Sequence, residues 1–592
     1  MKPGVAFSDH IITEKIKRGS SKFFDRSSGV RRLFVPIVLI ASLIILIFRL
    51  LYLQIVEGSY YRSLSDENRT RTSTIYASRG VIFDRNGKAL VFNVPGFREI
   101  VNGKTRVLDN TEALSLIAAG KENLEIDSLR SYPYKDVFAH VLGYIGQISE
   151  EELKKKEFSD YNMGDLIGKA GIEQRYDSLL KGIDGKVLTE VDSVGKTVRK
   201  LGQTDPVPGE NITLTLDANL QGAVYLAMKD VEKGVAIVTT SDGEILSILS
   251  KPSFDPNLFT LGDNYKTASD SAYRDVYEIL LDSDSEPLLN RATQGLYPPG
   301  STFKLVVAAS ALENGIIDEN FKVEDTGILI VGEFSFANWY FTQYGGKDGQ
   351  VDLVKGISRS NDIFFYKIAE RVGVEKISSM AEKFGLGKPT GIDLEGEQKG
   401  LVPSPSWKEK VIGEKWYLGD TYHYGIGQGF LLTTPLQVNV WTQVIANGGS
   451  LYQQHLLRSS KLEVKTKKFL DDKTVNLIRQ GMIESCAPGG VAWPLFEFRI
   501  KNSELRIDGD NFKGVPEASG SADVRQVSIA CKTGTAETGG EDTMPHSWIT
   551  LFAPAYDPEI VVTVLAENSG EGSNVAAPIA KEILEYYFTH GI

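Results

Sequence analysis

Residues 33–48 form an apolar run interrupted only by Pro36 and Ser42, and after Arg49 the run resumes through Leu50-Leu51-Tyr52-Leu53 to Val56. The stretch 33–56 is about the length a bilayer core requires. Inside a bilayer such a segment must be helical, because each backbone N–H and C=O has to be satisfied within it. It is longer than the apolar part of a cleavable signal, and no Ala-x-Ala-like site follows, so it reads as a retained single-pass anchor. Arg49, near its far end, can snorkel to the interface. Lys15, Lys17, Arg18, Lys22, Arg26, Arg31 and Arg32 precede it. Residues 1–32 are therefore expected to be a cytoplasmic tail, with the rest of the chain outside the cytoplasmic membrane.

A Pro- and Gly-rich link, Asp205-Pro206-Val207-Pro208-Gly209, divides that remainder into residues 57–205 and 211–592. The second module opens on the alternating Ile212-Thr213-Leu214-Thr215-Leu216-Asp217, which predicts a strand. Runs 234–238 and 244–249 flank the turn residues Ser241-Asp242-Gly243 in a hairpin pattern. Helical stretches dominate to about residue 484. Strands return at 527–531, 547–552 and 560–565, and a last helix is predicted over 576–588. Strands at both ends of the sequence with helices between them predict an α/β module, an antiparallel sheet closed by distant segments and flanked by helices.

Composition excludes some readings. The chain is 592 residues long, 42% apolar and 24% charged, which is enough for several packed domains. A formal charge of −12 argues against a nucleic-acid partner. His10, His140, His423, His455, His546 and His590 form no i,i+4 pair and no ligand spacing, so neither a metal nor a cofactor is expected. Cys486 and Cys531 are too few for a disulfide framework. Cys531 precedes Lys532 on a strand and is expected to point to the opposite face, into packing. A bridge between the two cysteines is the minor alternative.

Ser301-Thr302-Phe303-Lys304 follows Tyr297-Pro298-Pro299-Gly300 and leads into the apolar run 305–312, which suits a helix buried in a core. Pro and Gly end the preceding segment and place Ser301 at or near the helix N-terminus. There the free N–H groups and the dipole favour a developing alkoxide. At i,i+3 the Lys304 amine can reach the hydroxyl and act as the base a serine nucleophile needs. Alone the tetrad is weak, because average composition yields roughly two or three such strings in a chain this long. Its plain alternative is a capping serine with a lysine in solvent. Lys532-Thr533-Gly534-Thr535, after the strand 527–531, shifts the balance, since a Lys-Thr-Gly string is expected only on the order of 0.1–0.2 times by chance. Ser360-Asn361-Asp362, on the segment 356–370, stands between the two, with Ser358 and Asn361 offering a competing frame.

Ser-x-x-Lys with a later strand-borne Lys-Thr-Gly is the constellation of penicillin-recognising serine enzymes, and the chain resembles the class B (monofunctional) penicillin-binding proteins. The likeness includes Asn290-Arg291-Ala292, Trp416-Tyr417-Leu418-Gly419-Asp420-Thr421, Gly425-Ile426-Gly427-Gln428-Gly429 and Thr433-Thr434-Pro435-Leu436-Gln437. It also includes Thr390-Gly391-Ile392-Asp393-Leu394, Gly400-Leu401-Val402-Pro403-Ser404 and the signature Arg79-Gly80-Val81-Ile82-Phe83-Asp84-Arg85-Asn86-Gly87. The resemblance implies a penicillin-binding transpeptidase fold over 211–592 and an elongated mixed α+β pedestal over 57–205. The pedestal's head, between Asn93 and Ser131, looks shorter than the family's usual insertion. Its landmarks carry no nucleophile or metal ligand and read as structural.

The same resemblance implies the chemistry. Ser301 attacks a D-Ala-D-Ala bond of a peptidoglycan stem peptide, and the acyl-enzyme passes to an amine of a neighbouring stem. Lys304 is the expected base, neutral through burial and the neighbouring Lys532 cation. Ser360 relays a proton, while Lys532, Thr533 and Thr535 hold the terminal carboxylate. Gly534 lets the strand approach the substrate closely, and the N–H groups of Ser301 and Thr535 form the oxyanion hole. Many members carry Asn where this chain has Asp362, whose carboxylate opposes loss of the Lys304 proton. The Asp form and the Tyr132-Pro133-Tyr134 region lean toward the elongation-type penicillin-binding protein 2 branch over the division branch. β-Lactams are the expected inhibitors. A polytopic membrane glycosyltransferase of the shape, elongation, division and sporulation family is the expected partner, with other elongation-complex proteins. A class D-like β-lactamase, which shares Ser-Thr-Phe-Lys, a β-lactam sensor and a non-enzymatic scaffold are the alternatives.

Overall fold

The computed structural model describes residues 28–591 apart from 102–103, 109, 120–123, 193–195, 262–264, 269–270, 459–462, 502–523 and 540–542. The basic residues Lys15 to Arg26 and His10 therefore lie outside the described residues. The described chain divides into two compact units, one up to residue 74 together with 186–204, and the other from 75 to 185 together with the described residues from 205 onward.

The first unit contains the apolar segment, which is helical over Ser28–Leu51 and continues as a single π-turn over Tyr52–Val56. Its stretch Phe34–Val56 has a mean hydropathy of 2.8 and none of it is packed inside the protein, as a lipid-facing helix requires. A second helix, Gly58–Arg69, and a three-stranded sheet in the order Thr70–Ile75, Gly185–Val191, Thr197–Thr204 complete this unit.

The second unit is built around a five-stranded antiparallel sheet in the order Ile245–Lys251, Gly234–Thr239, Ile560–Ala566, His546–Ala553, Ala530–Ala536. The hairpin over Ser241-Asp242-Gly243 and the pairing of early with late strands follow the expectation. Alternate residues of each strand enter opposite cores, which is why the strands are buried on both faces. On one face Ala236, Val238, Ile549, Leu551, Val562 and Val564 pack with the terminal helix Ala576–His590 and the helix Ala218–Ala227. On the other face, Val235, Ile237, Trp548, Phe552, Val561 and Leu565 pack with the helices Lys304–Glu313 and Pro435–Ala446.

Two strands differ from the sequence reading. The run 212–217 forms only the short strand Ile212–Thr213, and it pairs in parallel with Ile82–Phe83 instead of joining the large sheet. It thereby extends a second sheet, in the order Ile212–Thr213, Ile82–Phe83, Ala89–Val101, Lys104–Leu108, with Leu124–Ser131 paired to Ala89–Val101. The late strand begins at Ala530, three residues beyond the start of the alternating run 527–531, so that the Lys-Thr-Gly string lies inside it. Alternation reports which residues face a core, and Val527 and Ile529 are buried with Ser528 exposed between them, although 527–529 pair in no ladder.

The signature 79–87 serves structure. Arg79 pairs with Glu173 and Asp177 at 2.9 and 2.8 Å, and fully buried Arg130 meets the other Glu173 oxygen at 2.6 Å. Asp84 accepts the N–H groups of Asn86 and Lys88, closing the turn. A Cβ on Gly80 would lie 1.8 Å from Glu210 O, so only glycine fits this crossing.

The cysteine expectation is corrected. Cys486, at the C-cap of the helix Asp472–Ser485, is bonded to Cys531, with the Cα atoms 5.9 Å apart. The helix packs against the Ala530–Ala536 strand, and its C-cap delivers Cys486 into the core that Cys531 enters on the face opposite Lys532, bringing together two residues whose separation of 45 in sequence carries no signal. A closed loop of that size stabilises by about 2–4 kcal/mol. The thermal midpoint should therefore fall under reductant, and Cys486→Ser should start low and not respond. An unchanged wild-type midpoint under reductant would show that the bridge does not form.

Candidate active site

The nucleophile segment starts as one 3₁₀ turn, Gly300–Phe303, and continues as the helix Lys304–Glu313, whose residues Leu305 to Ala311 are all buried. Ser301 thus sits at the start of a core helix, as the sequence predicts. The turn is wedged from two sides. Gly300 N donates to Gly427 O at 2.9 Å, and a Cβ on Gly427 would come within 2.1 Å of Gly300 O. On the other side, a Cβ on Gly534 would meet Pro299 O, Thr302 Cγ2 and Trp548 Cβ, each at 3.1 Å. Gly534 therefore admits the nucleophile turn against the Ala530–Ala536 strand; the close approach it permits is to Pro299 and Thr302. Gln428 Nε2 donates to Thr535 O at 3.4 Å, tying the Gly425-Ile426-Gly427-Gln428-Gly429 loop to the same strand. Tyr297 is bridged to Thr433 through both backbone groups, each at 2.9 Å.

Lys304 is completely buried, which excludes the solvent-lysine alternative. Its Nζ donates to Ser360 O at 2.8 Å, Asp362 Oδ1 at 2.6 Å and Ser360 Oγ at 3.3 Å. Among the described hydrogen bonds none joins Lys304 to Ser301, because Asp362 and Ser360 engage the amine instead. Burial pushes the Lys304 amine below its ordinary 10.5, and the Asp362 carboxylate opposes that shift. The depression is the net result: desolvation of a cation outweighs one partner.

Lys532 is equally buried. Its Nζ donates to Ser360 Oγ at 2.9 Å and to Thr533 O at 2.8 Å. Burial, then repulsion from Lys304, hold its amine well below 10.5, against the pull of Asp362. Its side chain thus turns inward to Ser360 and does not line the groove, whereas Thr533, Gly534 and Thr535 do. A strand residue one place from the open face delivers its side chain beneath that face, a direction the string Lys-Thr-Gly does not reveal.

The middle motif takes the frame Ser360-Asn361-Asp362. Ser358 Oγ donates to Lys355 O and takes no part. Ser360 Oγ accepts from both lysines, so its own hydrogen remains available to donate. Ser360 has φ 53°, a left-handed conformation in which a serine is uncommon. Asp362 Oδ2 also accepts from Trp339 N at 2.9 Å.

Ser301, Ser360, Asp362 and Thr533 to Thr535 line one groove of about 1120 Å³. Its far wall includes Trp339, Tyr340, Gln343 and Arg359, which sequence reasoning passed over. Arg359 lies over the Tyr340 ring at 4.8 Å. The only signal for that wall was the aromatic run Trp339-Tyr340-Phe341 with Tyr344, in a segment without a chemical motif. Among the described residues, no group of three or more His, Cys, Asp or Glu side chains is placed to hold a metal ion.

The chain matches the penicillin binding protein transpeptidase domain over residues 234–585 and the penicillin-binding protein dimerisation domain over 122–214. It is 33% identical to a peptidoglycan D,D-transpeptidase MrdA of Salmonella typhimurium, over 94% of this chain and 96% of that one. A protein of the same name from Acinetobacter baumannii is 31% identical over 94% of this chain and 87% of that one. Among solved structures, PBP2 of Helicobacter pylori in complex with MreC superposes with a TM-score of 0.71 at 27% identity, covering 88% of this chain and 99% of that one. PBP2 of Pseudomonas aeruginosa in complex with WCK 5153 gives 0.67 at 30% identity, covering 88% and 97%. With the nucleophile turn, the paired lysines and the Lys-Thr-Gly strand in one groove, the chain belongs to the class B penicillin-binding proteins, on their penicillin-binding protein 2 branch.

Proposed function

We propose that the protein is a serine D,D-transpeptidase that cross-links peptidoglycan stem peptides during cell elongation. The observation that carries this reading is the convergence of Ser301, Lys304, Ser360 and Lys532, from three distant segments, beside a groove open to a peptide. A deprotonated Lys304 keeps two N–H bonds, which Asp362 and Ser360 O accept, and gains a lone pair to take the Ser301 proton. Ser301 Oγ then attacks the carbonyl carbon of the penultimate D-Ala, and the N–H groups of Ser301 and Thr535 receive the oxyanion. Ser360, its lone pairs taken by the two lysines, donates its hydrogen to the leaving nitrogen, and a lysine N–H replaces it. The terminal D-Ala departs. The amine of a second stem peptide attacks the ester by the reverse route. Thr533 and Thr535 hydroxyls meet the terminal carboxylate, while Lys532 holds Ser360 Oγ in place at 2.9 Å.

We assign residues 57–205 to the pedestal and 211–592 to the catalytic module. The basic tail supports an N-terminus in the cytoplasm and a catalytic module on the outer side of the cytoplasmic membrane. The Helicobacter pylori relative's complex with MreC, and a structure of a peptidoglycan synthase complex matched at 25% identity and TM-score 0.69, support work alongside elongation-complex proteins. The proposed partner is a polytopic glycosyltransferase that supplies the strands. The match to relatives through the pedestal as well as the catalytic module favours this reading over a β-lactamase or a sensor.

The test is covalent labelling of the full chain, in detergent, with a fluorescent penicillin, beside Ser301→Ala. A stable adduct in the wild type and none in the variant is expected. An adduct that decays within seconds would identify a hydrolase and overturn the reading, as would labelling that survives the substitution.

A further inference from the structure

Behind the groove-lining residues Trp339, Arg359, Ser360 and Asp362 lies a second cluster, Asp325, Asn338, Asp348 and Asn361, which does not line the groove. Asp325 is buried and carries no paired cation among the described contacts; instead its carboxylate collects N–H donors. Oδ2 accepts from Asn361 Nδ2 at 2.9 Å, Asn338 Nδ2 at 3.0 Å and Asp348 N at 2.8 Å, and Oδ1 accepts from Gly327 N at 2.8 Å. Asn361 is fully buried, and its amide also donates to Asp348 Oδ2 at 3.0 Å. Its Oδ1 caps the helix Asp362–Val372 by accepting from Phe364 N at 2.9 Å. Arg359, on the other side of Ser360, donates to Asp348 Oδ1 at 3.1 Å. Asn338 Oδ1 accepts from Asp362 N at 3.1 Å, and the neighbouring Trp339 N holds the Asp362 carboxylate.

Both neighbours of Ser360 are therefore tied to Asp348, and the backbone of Asp362 is tied through Asn338 to Asp325. Ser360 itself has the left-handed backbone, a conformation that persists only when its surroundings over-determine it. We propose that Asn361, with Asn338 and Asp325, is a positioning residue for acyl transfer, holding Ser360 under the two lysines and the Asp362 carboxylate against Lys304. The middle residue of the motif, which carries no chemistry, thereby sets the alignment of the two that do. The segment 325–348 bears two roles through one cluster, since the same Trp339 that fixes Asp362 lines the groove.

This inference rests on the transpeptidase reading, and the wild-type penicillin reaction is its separate control: a wild type that does not acylate fails that reading alone. The variants are Asn361→Ser, which can still cap the helix but loses the bridge to Asp325 and Asp348, and Asn338→Ser. Acylation rates of the full chain are measured against penicillin concentration and pH, beside thermal unfolding. A displacement of about an ångström at such a site costs about 10²-fold, so a loss approaching that size in the maximal rate is expected. The half-saturating concentration should hold, because Thr533 and Thr535 are untouched. The acid limb of the pH profile should move to lower pH, since a displaced Asp362 no longer favours the Lys304 cation. A purely structural role would lower the unfolding midpoint and leave the profile in place. Folded variants with wild-type maximal rate and pH profile would overturn the proposal. Failure of both variants to fold would also overturn it, because the cluster would then determine stability and not alignment.

Discussion

Lys304→Gln should acylate with penicillin about 10²–10⁴-fold more slowly than the wild type, the range one positioned general base supplies. Glutamine retains N–H donors for Ser360 O and Asp362, which lysine now serves at 2.8 and 2.6 Å, so the loss reports proton transfer and not collapse of the site. Lys304→Arg should not rescue, because a guanidinium stays protonated. In the wild type the rate should climb with pH through the depressed value of the Lys304 amine, since only the neutral form accepts the Ser301 proton. The groups facing that amine are Asp362, which opposes the depression, and Lys532, itself depressed beside it. The linkage has a definite sign. Between the folded value and the ordinary 10.5 the unfolded chain binds more protons at these lysines than the folded one, so stability from them rises with pH across that window. A pH-independent acylation rate in the wild type, or a Gln variant of full activity, would remove Lys304 as the base.

Asp362→Asn separates the charge of the middle motif from its shape. The carboxylate is the influence that raises the Lys304 amine, second only to burial, which lowers it. Neutralising it lets burial act unopposed, and the acid limb of the acylation profile should move to lower pH. Asp362→Ala should behave differently. It leaves Lys304 buried without its partner, side chains 0% and 11% exposed, and breaking such a pair costs about 3–5 kcal/mol. It also frees Trp339 N, which Asn could still satisfy. The expected contrast is thus a displaced pH profile at near-normal stability for Asn, and a large fall in the unfolding midpoint for Ala. A profile that moves to higher pH in Asp362→Asn would show that the carboxylate does not stabilise the Lys304 cation.

How legible this protein was differs by element. Hydrophobic run length identified the anchor helix, because a bilayer admits one solution for such a segment. Turn residues with flanking apolar runs located the hairpin Gly234–Thr239 and Ile245–Lys251 and the strands His546–Ala553 and Ile560–Ala566. The nucleophile tetrad was legible because Pro and Gly mark where a core helix must begin, and the Lys-Thr-Gly string because so few such strings arise by chance.

Alternation alone could not tell a paired strand from a buried extended segment, so the run 212–217 joined a different sheet as two residues and the run 527–531 yielded its strand only from Ala530. Local pattern in the sequence by itself determined the anchor, the α/β order and the reactive residue types, since each depends on neighbours within a turn or two. Tertiary structure alone decided that Lys532 turns inward to Ser360, that Cys486 meets Cys531, and that Asp325, Asn338 and Asn361 share one buried cluster. Those contacts join residues tens to hundreds of positions apart. Their geometry is set by how helices seat on the sheet, where close packing leaves room for one arrangement that no single segment encodes.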